Sequence, residues 1–288
     1  MHFLEVENLT YSYKDSGKNS YAAIENISFS LERGEILGII GHTGSGKSTL
    51  VSHLNGLLKA DSGRILLDGN DIWEKPKRIS EIRSRIGLVF QYPEYQLFEE
   101  TVYKDIAFGP SNMKLDDDEI DRRIRTSAEL LGFGEELFDK SPFDLSGGQK
   151  RRVAIAGVVA MKPEILVFDE PTAGLDPVGR QAIFKAIKDY RTENNAAVII
   201  VSHSMEDMAE ICDKIIVLNK GTVYDYGTAK EVFSKSDSLK SIGLNVPMVS
   251  QVFAILKEKY GYDSDGIITV DEAVSSLLSA LKEKEGTK

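Results

Sequence analysis

Apolar positions follow two periods along this chain, and the places where one gives way to the other outline the architecture. From residue 3 to 40 apolar and polar residues alternate through Phe3, Tyr11, Tyr13, Ile24, Ile27 and Phe29, the period-two signature of half-buried strands. Lys14 to Ser20 is polar and contains glycine, which predicts a hairpin loop. Continuous apolar runs at Ile36–Ile40, Ile86–Phe90, Ile165–Phe168, Val198–Val201 and Ile215–Leu218 read as buried strands. Ile65–Leu67 is a shorter strand closed by Asp68-Gly69, a hairpin signal. Helical spacing occupies Ser48–Leu58, Arg78–Arg85, Lys114–Leu131, Val153–Met161, Pro177–Asn194, Met205–Cys212 and Thr228–Phe233. Tyr92–Pro110, marked at its ends by Pro93 and Pro110, reads as irregular.

Strands alternating with helices predict an α/β fold with a mostly parallel core sheet covered on both faces. An N-terminal antiparallel β subdomain precedes it, and a helical subdomain at about residues 93–161 is inserted into it. The pattern changes after residue 235. Two amphipathic helices, Val246–Tyr260 and Val270–Lys284, follow, the second opened by Thr269-Val270-Asp271-Glu272 at capping-box spacing. The expected division is therefore 1–235 and a C-terminal helical extension, 236–288. Val274, Leu277, Leu278 and Leu281 form an apolar patch on the last helix, expected either to contact a partner chain or to pack on its own.

Composition narrows the class. With 42% hydrophobic and 28% charged residues over 288 positions, the chain has a globular make-up. It has no apolar run near the ~18 residues of a membrane span. MHFLEVENLTYSY lacks the layout of a signal peptide. Cys212 stands alone, so no internal disulfide forms, which fits a reducing cytoplasm. A net charge of −10 argues against nucleic acid as a main partner, because phosphate-backbone binding needs a broad basic face.

The stretch Gly41-His42-Thr43-Gly44-Ser45-Gly46-Lys47-Ser48-Thr49 matches G-x-x-x-x-G-K-[ST] in full and lies between a buried strand and an apolar-striped helix. In that context the backbone N–H groups and the helix start favour phosphate. Lys47 would reach the β- and γ-phosphates, and Ser48 would ligate Mg²⁺. Ile165–Phe168 delivers Asp169 and Glu170 to the carboxyl edge of the sheet beside that loop. Asp169 suits Mg²⁺, and Glu170, pointing differently, suits a base for the attacking water. A second anion-grade loop, Ser146-Gly147-Gly148-Gln149, opens another helix. One γ-phosphate cannot need two such loops from one chain, unless Ser146 of one subunit caps the nucleotide held by Lys47 of another.

In order, GHTGSGKST, Gln91, LSGGQ, ILVFDEP, Ala173-Gly174-Leu175-Asp176 and His203 resemble the motifs of an ATP-binding cassette (ABC) ATPase, a phosphate-loop NTPase, over about residues 3–235. The resemblance implies ATP and Mg²⁺ bound between two head-to-tail subunits. It also implies an aromatic stacking on adenine, Tyr13 ahead of Tyr11 with the choice between them open, Gln91 touching Mg²⁺ and the attacking water, Asp176 crossing the interface and His203 contacting the γ-phosphate. Asp176 lies in a turn usually written S-A-L-D in the family, a departure expected to be harmless. Gln91-Tyr92-Pro93-Glu94-Tyr95-Gln96-Leu97-Phe98, His42-Thr43 and His53–Leu58 are similar to ATPases of energy-coupling factor and cobalt importers, most of all to the second energy-coupling factor ATPase. Such a subunit implies three partners: a related paralogue or a second copy, a membrane-embedded coupling subunit and a substrate-binding membrane subunit. It would sit peripherally on the cytoplasmic face of the membrane and power micronutrient uptake. A homodimeric cobalt or nickel importer ATPase ranks next, then a general ABC importer ATPase. Repair and translation members of the family carry a long coiled coil or a second cassette, for which this chain has no room.

Overall fold

In the computed structural model, which describes residues 2–14, 20–262 and 266–285, the strands separate into two sheets. β1 (Leu4–Lys14) and β2 (Ser20–Leu31) pair antiparallel; most of the predicted hairpin loop, residues 15–19, lies outside the described residues. β3 (Ile36–Ile40) enters the second sheet and leads into α1 (Lys47–Leu54). β4 (Ser62–Leu67) and β5 (Asn70–Asp71) complete the first sheet, in the order β2-β1-β4-β5. Between them Asp68 (φ 50°) and Gly69 (φ 75°) both take the left-handed conformation of a two-residue hairpin turn.

After α2 (Ile79–Arg85) and β6 (Ile86–Val89), three helices gather: α3 (Val102–Asn112), α4 (Asp117–Leu130) and α5 (Gly147–Val159). The chain returns through β7 (Ile165–Asp169), α6 (Pro177–Asn194), β8 (Ala197–Val201), α7 (Met205–Ile211), β9 (Lys214–Asn219) and β10 (Thr222–Thr228). The second sheet runs β10-β9-β3-β8-β7-β6 and is parallel except for β10. α8 (Ala229–Ser234), α9 (Ser236–Ser241), α10 (Met248–Tyr260) and α11 (Val270–Glu285) follow.

Strand alternation builds two cores from one sheet. Leu37, Ile39, Leu88, Val167, Ile199 and Ile216 face the antiparallel sheet and α1, where they meet Leu4, Ile27, Leu50 and Leu54. Ile36, Ile40, Val89, Phe168, Ile200 and Val217 face the other way, onto Ile106, Ile155, Phe184 and Met208 of the helices. Every residue of β3 and β8 is buried, as expected of strands covered on both faces.

Five elements differ from the sequence reading. The helix expected over Ser48–Leu58 stops at Leu54, because Gly56 turns left-handed (φ 67°) and the buried Asn55 amide is spent on the Ile86 carbonyl. Tyr92–Pro110 is not irregular throughout: it holds a 3₁₀ turn at Pro93–Gln96 and most of α3. The Thr101 side chain caps that helix by accepting from the Lys104 N–H, and Val102, Ile106 and Pro110 bury one face at four-residue spacing. Pro110 lies inside that helix and cannot donate to the turn before it, yet the helix runs on to Asn112 with the Pro110 ring buried beside Ile106. α5 starts at Gly147, inside the LSGGQ stretch, rather than at Val153. β10 and α9 were not foreseen. The capping box of the last helix is present: Glu272 accepts from the Thr269 N–H, and Thr269 Oγ1 from the Glu272 N–H.

Candidate active site

Three neighbouring strands of the parallel sheet, β3, β8 and β7, end on the same edge, the usual ligand edge of an open α/β sheet. β3 delivers the phosphate loop, β7 delivers Asp169 and Glu170, and His203 follows β8. Together with Gln91 after β6 they line one cleft of about 440 Å³. Thr43, Gly44, Gly46, Lys47, Ser48 and Thr49 form its loop side, and Tyr13, Tyr21 and Ala23 contribute from the β1–β2 hairpin.

The loop is shaped by its glycines. Gly46 has φ 102°, and a Cβ there would stand 2.7 Å from the Ala23 carbonyl oxygen, so no side chain fits. Lys47 opens α1 and is 7% exposed; its ammonium donates to the carbonyls of Gly41 (2.7 Å) and His42 (3.0 Å). Burial lowers the Lys47 pKa, while Glu170 and Asp169 push it back up. Not every residue of the motif reaches the cleft. Gly41, His42 and Ser45 lie outside its lining: Ser45 is fully buried, and the His42 ring contacts the Asn219 side chain at 3.0 Å.

The carboxylates divide as their positions suggest. Burial raises the Asp169 pKa, opposed by Lys47 and by a hydrogen bond from the Ser48 hydroxyl. Glu170 takes a left-handed backbone (φ 55°) while its N–H stays bonded to the Val201 carbonyl, so its side chain leaves the strand in a different direction. Burial first, and then the Asp169 charge, push its pKa up to about 7. Glu170 Oε1 is buried without a hydrogen-bond donor; His203 Nε2 stands 3.6 Å away, and Ser202 Oγ donates to Oε2 at 3.5 Å. Burial, followed by Lys47, lowers the His203 pKa.

The residues fit Mg²⁺. Ser48 and Asp169 line the cleft with Lys47, a hydroxyl and a carboxylate on the phosphate side. Among the described residues no three His, Cys, Asp or Glu side chains gather as a metal cage. Mg²⁺ bound with a nucleotide needs none, since phosphates and water supply its remaining ligands.

Tyr13 and Tyr11 separate clearly. Tyr13 is 45% exposed and lines the cleft, whereas Tyr11 lies edge-on between Tyr13 (5.0 Å) and the buried His53 (4.7 Å). Tyr21, opposite Tyr13 in the hairpin register, also lines the cleft and was missed from sequence; cross-strand pairing is the signal that could have found it.

Ser146, Gly148 and Gln149 line a second cleft of about 520 Å³ together with Gly174 and Asp176, and the two clefts share no residue. Ser146 caps α5 reciprocally with Gln149: Ser146 Oγ accepts from the Gln149 N–H (3.3 Å), and Gln149 Oε1 accepts from the Ser146 N–H (3.0 Å). The N–H groups of Gly147 and Gly148, in the first turn, have no intrahelical acceptor and sit in exposed residues. Asp176 caps α6 through the Gly179 N–H at 2.7 Å.

A parallel sheet ending in a phosphate loop, with a separate capped LSGGQ helix, defines an ATPase of the cassette class. A family model described as ABC transporter matches residues 24–173. The energy-coupling factor transporter ATP-binding protein EcfA2 of Clostridium tetani is 51% identical over 282 residues, covering 98% of each chain. Its counterpart in Clostridioides difficile is 52% identical over 280 residues, 96% of this chain and 97% of the relative. Among solved structures, cbiO1 of Clostridium perfringens, part of the ABC transporter complex cbiONQ, superposes with a TM-score of 0.75 at 41% identity, over 88% of this chain and 99% of that one. A dimeric post-hydrolysis structure of the cassette MJ0796 with ADP and Pi gives 0.71 at 28% identity, over 78% of this chain and 98% of that one. The chain belongs to the ABC transporter family, in its group of energy-coupling factor transporter ATP-binding proteins, and is an ATPase.

Proposed function

We propose that this chain binds and hydrolyses ATP as one of two ATPase subunits of an energy-coupling factor importer, docked on the cytoplasmic face of the membrane and powering micronutrient uptake. The observation that carries this reading is the pair of disjoint clefts, one built around Lys47 and Glu170 and the other around Ser146 and Asp176. Each is half of a nucleotide site, so a head-to-tail partner, either a related ATPase or a second copy, completes both.

Tyr13 stacks on the adenine, the phosphate loop and Lys47 hold the triphosphate, and Ser48, Asp169 and Gln91 would hold Mg²⁺. Bound there, Mg²⁺ would supply charge neutralisation on the phosphates, while the phosphate-loop amides and Lys47 orient them. Glu170 accepts the proton of the attacking water; its unpartnered Oε1 supports that role. His203 contacts the γ-phosphate and helps position the water. Ser146 and the Gly147 and Gly148 amides of the partner cover the γ-phosphate, so ATP favours the closed dimer and hydrolysis releases it.

An apolar groove of about 590 Å³ beside Gln91, lined among others by Leu57, Phe90, Leu97, Phe98 and Phe108, suits a short helix of the coupling subunit. Among the described residues no helix is long and apolar enough to cross a membrane. Val274, Leu277, Leu278 and Leu281 remain at least 40% exposed on α11, which supports a role for the extension in contacts between chains.

Glu170→Gln is expected to lower turnover roughly 10²-fold or more and to leave ATP binding intact. Near-normal turnover would remove Glu170 from the base role. Co-purification from the native host, with the eluting subunits identified by mass spectrometry, separates this assembly from a homodimeric cobalt or nickel importer, which would yield no second ATPase.

A further inference from the structure

Arg151 has no role in the mechanism above, yet it is 4% exposed. It lies in α5, just past the LSGGQ stretch. Its guanidinium meets the Glu94 carboxylate as a fork, Nε to Oε2 at 3.1 Å and Nη2 to Oε1 at 3.2 Å. Nη1 donates to the Ala173 carbonyl at 2.5 Å, and the group lies 5.8 Å from the centroid of the Tyr92 ring. One side chain thus joins three segments: the turn after Gln91, the helix that starts behind Ser146, and the turn that ends at Asp176.

A buried ion pair contributes little net stability and is costly when left incomplete. This one is satisfied on three sides, and only arginine has a planar fork with a further donor for a third acceptor. Its geometry therefore fixes the three segments relative to one another. Glu94 belongs to the 3₁₀ turn Pro93–Gln96, whose last residue lines the apolar groove with Leu97 and Phe98. Arg151 itself lines the cleft that holds Ser146 and Asp176. Ala154, Gly157 and Val158 of α5 line that groove as well, so a displacement there meets α5 directly, and Arg151 adds the charged joint that ties it to the turns at Glu94 and Ala173.

We propose that Arg151 is a positioning residue that makes these three segments move as one, so that a load on the groove reaches the Ser146–Asp176 cleft. The proposal rests on the ATPase reading above and extends it to how the two clefts are driven.

The test uses the complex purified from the native host with its membrane partners. Turnover of MgATP by the complex and binding of a fluorescent ATP analogue by the isolated chain are measured for Arg151→Lys, Glu94→Gln and the double variant. Arg151→Lys is expected to lower kcat at least about fivefold with KM and analogue affinity within about twofold, the pattern of an interaction used after binding. Glu94→Gln is expected to do the same, and the double variant to be no worse than either single one, because both break one joint. A kcat for Arg151→Lys within about twofold of the parent overturns the proposal. So do single effects that multiply in the double variant, or a loss of analogue affinity as large as the loss of kcat, the mark of a merely structural role. Glu170→Gln, run alongside, separates the two readings: full turnover there sinks the mechanism whatever Arg151 does.

Discussion

At the scale of single residues, Glu170 is the most informative group because its environment works against its charge. Burial and the neighbouring Asp169 hold its pKa at about 7, against an ordinary value of 4.5. The folded chain therefore keeps a proton that the unfolded chain releases between those two values. Glu170 contributes most to stability below the ordinary carboxylate range, and that contribution is lost as pH rises through about 7. Glu170→Gln, neutral at every pH, is thus expected to raise Tm over the nucleotide-free parent more at pH 8 than at pH 5; a Tm difference independent of pH would contradict this. Ionised Glu170 is also the form that can take a proton, so kcat/KM for ATP is expected to fall as pH drops below about 7. Most residues of this site were legible in the sequence because phosphate chemistry demands fixed types at fixed spacing, as from Gly41 to Ser48. Arg151 was not, because its partner Glu94 lies 57 positions away and only packing brings them together.

At the scale of elements, α3 shows what period alone misses. Pro93 and Pro110 suggest a loop, yet Thr101 caps a helix whose buried residues fall four apart. Pro110 removes one backbone donor from this helix, and the burial of Val102, Ile106 and Pro110 along one face holds the helix despite that loss. The helix in turn holds the segment before it, since Asp105 Oδ2 accepts the N–H groups of Phe98 and Glu99, both at 2.9 Å. α3 is therefore part of the groove rather than a spacer. Thr101→Ala removes the cap and is expected to cost about 1 kcal/mol, read as a shift in the urea midpoint at constant slope. An unchanged midpoint would mean that the cap carries no stability. The strands were easier to read than α3: β3, β7 and β8 are covered on both faces, and such strands must be continuously apolar whatever packs on them. β10 alternates exposed and half-buried positions and offers no such run.

At the scale of the whole molecule, the decisive feature is that the chain carries two clefts with no residue in common. A monomer could hold ATP through Lys47, but the Gly147 and Gly148 N–H groups would then have no γ-phosphate to meet. In the head-to-tail assembly proposed above, two copies of this chain would each bring a net charge of −10, and like charge opposes that association. On that proposal the nucleotide supplies interactions that exist only in the closed state, since a ligand without such a preference would shift nothing. MgATP, held uncleaved in a Glu170→Gln background, is expected to raise the mass seen by light scattering to that of a dimer, either of this chain alone or with its co-expressed ATPase partner. Ser146→Asp in that background puts a negative charge where the γ-phosphate must arrive, and is expected to abolish the mass increase while the isolated chain still binds the fluorescent analogue through Lys47. If dimers persist with Ser146→Asp, the second cleft is not the lid of the first.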